Sequence, residues 1–301
     1  MDQGDILWLA VNAKYSHTSL AVRYLRECVP GSSILELTIN HQLLAALGEI
    51  YERQPRVLGI SCYIWNIEMV KDLLRLLPSA LPDTIVICGG PEVSYDTAAF
   101  LDAFPMVDFV VRGEGEEAVP ELIERLQAVG FDKARAAEVS RVGSLPGVAM
   151  RREDGSIDES TAVTVANFSE VPFPYREAEM GPIKERILYY ETSRGCPFSC
   201  AYCLSCATAG VRFLPLPRVF RALGLSNLYA SSTSSCATTC ARSSSSTGPS
   251  TPRNRISCPS CSTSSICRTA CARISTSKSP STTSMKRCSR HSRACRAAAC
   301  N

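Results

Sequence analysis

An open, doubly wound parallel sheet with helices on both faces is the α/β fold predicted for residues 1–140. Three observations predict it. Short apolar runs without internal alternation recur along the chain, as expected of strands buried on both sides. Each run is followed by a stretch whose large apolar residues return at helical spacing. The alternation occurs five times, which is the pattern of a parallel sheet built from βα units.

Ile6-Leu7-Trp8-Leu9-Ala10-Val11 is the first strand, and Leu20, Tyr24, Leu25 and Cys28 mark the helix after it. Ile34-Leu35-Glu36-Leu37-Thr38 is the second, with a helix around residues 41–53. Val57-Leu58-Gly59-Ile60-Ser61 is the third, and Ile67, Val70, Leu73, Leu74 and Leu77 place the next helix. Thr84-Ile85-Val86-Ile87-Cys88 is the fourth and ends in Gly89-Gly90-Pro91. Phe109-Val110-Val111 is the fifth, followed by Gly113-Glu114-Gly115-Glu116 and a helix carrying Val119, Leu122, Ile123 and Leu126. In such sheets ligands bind beyond the carboxyl ends of the strands. The loops to watch are therefore Asn12–His17, Ser61–Asn66, Gly89–Val93 and Gly113–Glu116. Acidic residues in the last argue against a phosphate loop, and it reads as a turn whose carboxylates favour the next helix's N-terminus.

Residues 141–187 carry Gly and Pro punctuation and short β-prone pieces, a hairpin and ordered linker. Ile187-Leu188-Tyr189-Tyr190-Glu191-Thr192 reads as a strand running into a cysteine cluster, the start of a further domain over 188–220. After about residue 220 the text changes. Residues 226–301 contain 22 Ser, no Asp or Glu, and Tyr229 as their one aromatic. Such a segment cannot offset the entropy of ordering, so 221–301 is expected to be a disordered tail.

Charge divides at the same place. All 29 acidic residues lie at or before Glu191, among 17 Lys and Arg; the remaining 15 Lys and Arg follow it. No basic, apolar leader opens the chain, and no apolar run reaches the ~18 residues of a membrane span. A cytoplasmic, reducing setting is expected, with no membrane partner. Clustered cysteines are then read as metal ligands before disulfides. Cys28, Cys62 and Cys88 stand alone on apolar runs and read as small core residues.

The cluster is Cys196-Pro197-Phe198-Ser199-Cys200-Ala201-Tyr202-Cys203. The C-x3-C-x2-C spacing lets one loop wrap three corners of a [4Fe–4S] cubane and leaves one iron open. A zinc knuckle with Cys206 as fourth ligand is the competing reading; zinc prefers paired C-x2-C units.

A strand entering such a loop, with an aromatic before the third cysteine, resembles the radical S-adenosylmethionine (radical SAM) superfamily. The resemblance implies that Cys196, Cys200 and Cys203 hold the cluster and that the open iron chelates S-adenosylmethionine. An electron from the reduced cluster then cleaves the sulfonium to a 5′-deoxyadenosyl radical. Tyr202 matches the aromatic placed beside the adenine, or packs the loop. With the sheet in front, residues 1 to about 220 are similar to cobalamin-binding radical SAM proteins. A bacterial subgroup shares the first loop Asn12-Ala13-Lys14-Tyr15-Ser16-His17.

That resemblance implies a Rossmann-like cobalamin domain at 1–140 and the start of a radical SAM partial βα barrel at 188–220. Cobalamin would lie on the carboxyl edge, contacted by Asn12, Tyr15, Ser61, Tyr63, Gly89 and Gly90. Gly89 and Gly90 lack a Cβ and would admit the nucleotide tail, or they simply make a tight turn. Tyr63 and Trp65 would cover the corrin or pack the core. The Asp-x-His-x-x-Gly signature of a lower cobalt ligand is absent, so His17 is read as a local hydrogen-bonding or capping residue.

The implied function is reductive cleavage of S-adenosylmethionine, leading to methyl transfer or radical rearrangement on an unknown substrate. A reductant such as flavodoxin or ferredoxin would supply the electron. The alternatives are a corrinoid- or nucleotide-binding iron–sulfur protein without catalysis, and an inactive truncated product. A reading-frame shift between roughly residues 218 and 226 would explain the tail, whose basic charge is then not the mark of a nucleic-acid partner.

Overall fold

The structure, a computed structural model, describes residues 4–142, 144–152, 154–198, 200, 210–215 and 217–219. The expected disordered tail, Tyr202 and Cys203 lie outside the described residues. Five parallel strands, β1 (Ile6–Asn12), β2 (Ser33–Thr38), β3 (Val57–Ser61), β4 (Ile85–Gly89) and β5 (Phe109–Val111), alternate with helices. The helices are α1 (Leu20–Cys28), α2 (Leu43–Tyr51), α3 (Ile67–Ala80), α4 (Pro91–Ser94), α5 (Thr97–Ala103) and α6 (Gly115–Ala128). Two antiparallel strands, β6 (Val148–Arg151) and β7 (Ile157–Glu159), form a hairpin that extends the same sheet. The strand order is β2-β1-β3-β4-β5-β6-β7.

Alternate residues of each strand feed opposite cores, which is why the strand runs are apolar throughout. Leu7, Leu9, Val11, Leu58, Ile60 and Val86 meet Ile50 of α2, Leu73, Leu74 and Leu77 of α3 and Leu101 of α5. Ile6, Trp8, Ala10, Val57, Ile85 and Phe109 meet Val22 of α1 and Val119, Leu122 and Leu126 of α6. Helices therefore cover both faces, as expected. Gly59 serves the second core: a Cβ there would stand 2.2 Å from the Trp8 ring. Trp8 in turn donates its Nε1–H to Ser32 Oγ at 2.8 Å.

The chain runs from β1 to β2 on one side and then returns to β3 on the other side of β1. The direction of winding thus switches between β1 and β3, and loops diverging there leave a crevice at the carboxyl edge.

One strand differs from expectation. Ile187 makes a single bridge to His17, and residues 188–192 are not a strand. The ladder begins later, where β8 (Ser193–Cys196) pairs antiparallel with β9 (Gly210–Phe213). Residues 187–189 instead satisfy their backbone on the β1 loop and on Tyr175. The Ile187 N–H donates to Ser16 O at 2.6 Å. Tyr175 Oη donates to Tyr189 O at 2.6 Å and accepts from Tyr189 N at 3.0 Å. A hydroxyl that serves as both donor and acceptor replaces a neighbouring strand here, and no apolar pattern announces it.

Candidate functional site at the carboxyl edge of the sheet

The β1 and β3 loops are joined by a buried amide. Asn66 donates from Nδ2 to Val11 O at 3.0 Å and Ser61 O at 2.9 Å, and its Oδ1 accepts from Tyr63 N at 2.8 Å. Trp65 adds an indole N–H bond to Val11 O at 3.1 Å. Tyr63 stacks on Trp65 with ring centres 4.4 Å apart and planes 6° from parallel. Burial, with Glu191 adding to it, pushes the Tyr63 phenol up to about 12. Tyr63 therefore stays neutral and acts as packing surface.

Asn12 turns its amide inward, donating to His17 O at 3.0 Å to close the β1 loop. Ser61 Oγ donates back to Leu9 O at 3.4 Å. His17 Nδ1 meets Tyr189 Oη at 2.5 Å, and the rings stack at 5.7 Å. The local hydrogen-bonding role read for His17 matches this geometry. Gly90 has φ of +112°, and a Cβ would lie 2.4 Å from Cys62 O. Its lack of a side chain is thus required by the neighbouring β3 loop. At Gly89 a Cβ would meet Val111 Cβ at an ordinary 3.5 Å.

What stands out at this edge is apolar surface. Tyr15 follows β1, Ile39 and Leu44 follow β2, Ile64 and Trp65 follow β3, and Tyr95 follows β4. All six are exposed, Ile64 by 77% and Tyr15 by 68%. Their strands are consecutive in the order β2-β1-β3-β4, so the six form a rim along one sheet edge. A rim of large apolar side chains around a switch-point crevice suits a broad, largely apolar ring ligand. Ile39, Leu44, Ile64 and Tyr95 were not singled out by sequence reasoning; large apolar residues directly after predicted strands would have been the signal.

A second constellation lies where β5 enters α6. Gly113 has φ of +83° because the Val163 backbone crosses it, and a Cβ there would stand 2.2 Å from Val163 O. Glu114 accepts from Val165 N at 2.7 Å and from both terminal nitrogens of Arg212. Arg194 reaches Glu116 at 2.5 Å, Glu191 at 2.8 Å and Glu114 at 3.4 Å. As expected, Glu114 stands at the N-cap of α6 and Glu116 in its first turn, where negative charge favours the helix N-terminus. Glu114 makes no side-chain cap bond, because its carboxylate is turned to the two arginines. Burial alone would raise the Glu114 carboxyl; bonds from Arg212 and Val165 and the charge of Arg194 outweigh it and lower it.

Beside this constellation β8 delivers Cys196, and Cys200 follows; both are half-buried thiols. Two thiol donors on one loop suit a soft iron site. Among the described residues no group of three metal-ligating side chains forms. Cys62 and Cys88 are fully buried, as expected of core residues, whereas Cys28 is half-buried; burial pushes its thiol up to about 12.

Residues 6–123 match the B12 binding domain family. A cobalamin-dependent radical SAM methyltransferase, TokK of Streptomyces tokunonensis, is 30% identical over 158 residues, 50% of this chain and 22% of that protein. The 2-(S-pantetheinyl)-carbapenam-3-carboxylate methyltransferase of Streptantibioticus cattleyicolor is 35% identical over 158 residues, with the same shares of each chain. The chain thus spans about a fifth of the length of these relatives, 22%. Among solved structures, the cobalamin-dependent S-adenosylmethionine radical enzyme OxsB, with aqua-cobalamin and S-adenosylmethionine bound, shares the fold. Its TM-score is 0.60 at 20% identity, over 76% of this chain and 32% of that one.

Proposed function

We propose that this chain, whose residues 6–123 match the B12 binding domain family, serves a cobalamin-dependent radical SAM enzyme, with methyl transfer as the reaction. The observation that carries the proposal is the exposed apolar rim of Tyr15, Ile39, Leu44, Ile64, Trp65 and Tyr95 at the sheet's switch point. When bound, cobalamin supplies a cobalt-centred methyl carrier, and a [4Fe–4S] cluster supplies the electron that cleaves S-adenosylmethionine.

The chain's own residues have distinct tasks. Ile64 and Trp65 offer the apolar ledge, and Asn66 keeps that ledge attached to β1. Tyr15 and Tyr95 flank it. Asn12, Ser61 and Gly90 shape the edge from within, since their side chains or backbones are already engaged by the protein. Tyr63 backs Trp65, and Gly89 leaves the end of β4 uncovered. His17 is held against Tyr189 through Nδ1, which fixes the orientation of its ring in the β1 loop.

Cys196, Cys200 and Cys203 are the proposed cluster ligands, and Tyr202 the proposed adenine neighbour. A reductant such as flavodoxin or ferredoxin fits as electron donor. Among the described residues no helix is long and apolar enough to cross a membrane.

Anaerobic reconstitution of the full chain with iron, sulfide and hydroxocobalamin tests the proposal. Expected are a cobalamin spectrum retained through gel filtration, a cluster absorption lost in C196A/C200A, and 5′-deoxyadenosine formed on adding dithionite and S-adenosylmethionine. Retention of both cofactors with no 5′-deoxyadenosine would instead indicate the non-catalytic corrinoid iron–sulfur reading.

A further inference from the structure

The two strands of the β8–β9 hairpin bracket the cysteine loop, and each carries an arginine at the same register. Arg194 and Arg212 are directly paired across the ladder. Both guanidinium groups point at the turn between β5 and α6. Arg212 grips Glu114 with both terminal nitrogens and also donates to Val165 O at 2.9 Å. Arg194 spans Glu114, Glu116 and Glu191. The groups are largely shielded: side-chain exposure is 12% for Arg194, 14% for Glu114 and 8% for Glu116.

The floor beneath them is aromatic. The Arg194 guanidinium lies 4.6 Å from the Phe168 ring centre and 5.3 Å from that of Tyr24, and Arg212 lies 5.9 Å from Phe168. Tyr24, Phe168, Val165, Val171 and Leu214 form one small apolar cluster there. A planar cation held between carboxylates and a ring face is fixed in direction as well as position.

We propose that the Gly113-Glu114-Gly115-Glu116 turn is the seat that positions the cluster hairpin, with Arg194 and Arg212 as its two prongs. The turn belongs to the carboxyl edge that carries the apolar rim, since it follows β5. Glu114 and Glu116 thereby set where the cysteine loop stands relative to the ring ligand on that edge. They are positioning residues and touch neither the cysteines nor the rim. The inference rests on the reading of Cys196, Cys200 and Cys203 as cluster ligands for its purpose, whereas the clamp itself is independent of any cofactor.

The test separates the two. Amide hydrogen exchange on the full chain without cofactors, resolved over 193–196 and 210–213, reads the clamp directly. E114Q/E116Q should exchange these amides on the order of a hundredfold faster, because unpairing buried guanidinium groups is costly. Amides of β1, β3 and β4 report whether the sheet is intact. R212E should release the hairpin in the same way, whereas R212K, which keeps the charge, should retain part of the protection. Unchanged hairpin exchange in E114Q/E116Q or in R212E while the sheet remains protected overturns the proposal. On the reconstituted chain, the magnetic coupling between Co(II) and the reduced cluster should weaken in E114Q/E116Q while cobalamin retention is unchanged. Failure of the wild-type chain to hold either cofactor would refute the cofactor reading and leave the exchange result to decide the clamp.

Discussion

The parallel sheet and the segment from residue 160 to 219 are held together by different physics. In β1, β3 and β4 nearly every side chain is apolar and fully buried, and the two cores share the strands between them. Beyond residue 160 the described apolar clusters are small, and ion pairs to α1 and β2 add to the attachment. Arg23 joins Glu36 at 2.7 Å and Glu179 at 3.2 Å, Arg186 joins Glu36 at 3.1 Å, and Arg176 joins Glu27 at 2.7 Å. The lesson is that the sheet should open as one unit, while the later segment should detach from it piecewise.

Substitution within the sheet tests the first half of that contrast and should have the largest effect. Leu58→Ala removes a fully buried side chain shared with α2 and α3. A loss of about 2–5 kcal/mol is expected in chemical denaturation, spread over all sheet amides in hydrogen exchange. An effect confined to β3 would break the picture of a single cooperative sheet.

Arg23→Leu tests the second half. It leaves Glu36, whose side chain is 8% exposed, with Arg186 as its remaining cationic partner. Exchange should accelerate over residues 175–187 by an amount equivalent to about 1–3 kcal/mol, with β1, β3 and β4 unaffected. Equal destabilisation of the sheet would show that the two regions are one unit.

Acid should separate them as well. The Glu114 carboxyl is lowered in the folded chain from an ordinary value of 4.5. Its contribution is therefore present above that value and lost as pH falls through the lowered one. Glu191, raised by burial, acts in the opposite sense, but it pairs with Arg194, whereas Glu114 is held by both arginines. Exchange at 193–196 and 210–213 should rise as pH falls below the ordinary carboxylate value of 4.5, before the sheet opens. Simultaneous opening of both would remove the distinction.

The smallest stability change belongs to the rim. Trp65→Ala should alter unfolding by about 1–2 kcal/mol, because the ring is 45% exposed but loses its bond to Val11 and its stack on Tyr63. It should nevertheless weaken cobalamin binding by roughly tenfold, the scale of one aromatic contact.

How legible each region was follows from these same forces. The sheet announces itself through runs such as Ile6–Val11 and Ile85–Cys88, because burial on both faces leaves a local apolar signature. Each of the five βα units forms where the runs place it. Ile187–Thr192 looks equally strand-like, yet its backbone is satisfied by Ser16 and by the Tyr175 hydroxyl, partners distant in sequence. The roles of Glu114 and Glu116 were hidden for the same reason: Arg194 and Arg212 lie about 80 to 100 positions away. Of the rim, Tyr15 and Trp65 were visible. Ile39, Leu44, Ile64 and Tyr95 join it once the strand order sets their loops side by side. Cys203 and Tyr202 rest on the cysteine spacing, being outside the described residues.

Cobalamin binding at the apolar carboxyl edge of this sheet is the proposal on which the rest depends. Equilibrium dialysis of the full chain against hydroxocobalamin, with wild type and I64S/W65A compared, decides it. Expected are one cobalamin per wild-type chain and affinity reduced at least about tenfold in I64S/W65A, with the sheet still folded. Absence of binding by the wild type, or equal binding by I64S/W65A, would contradict it.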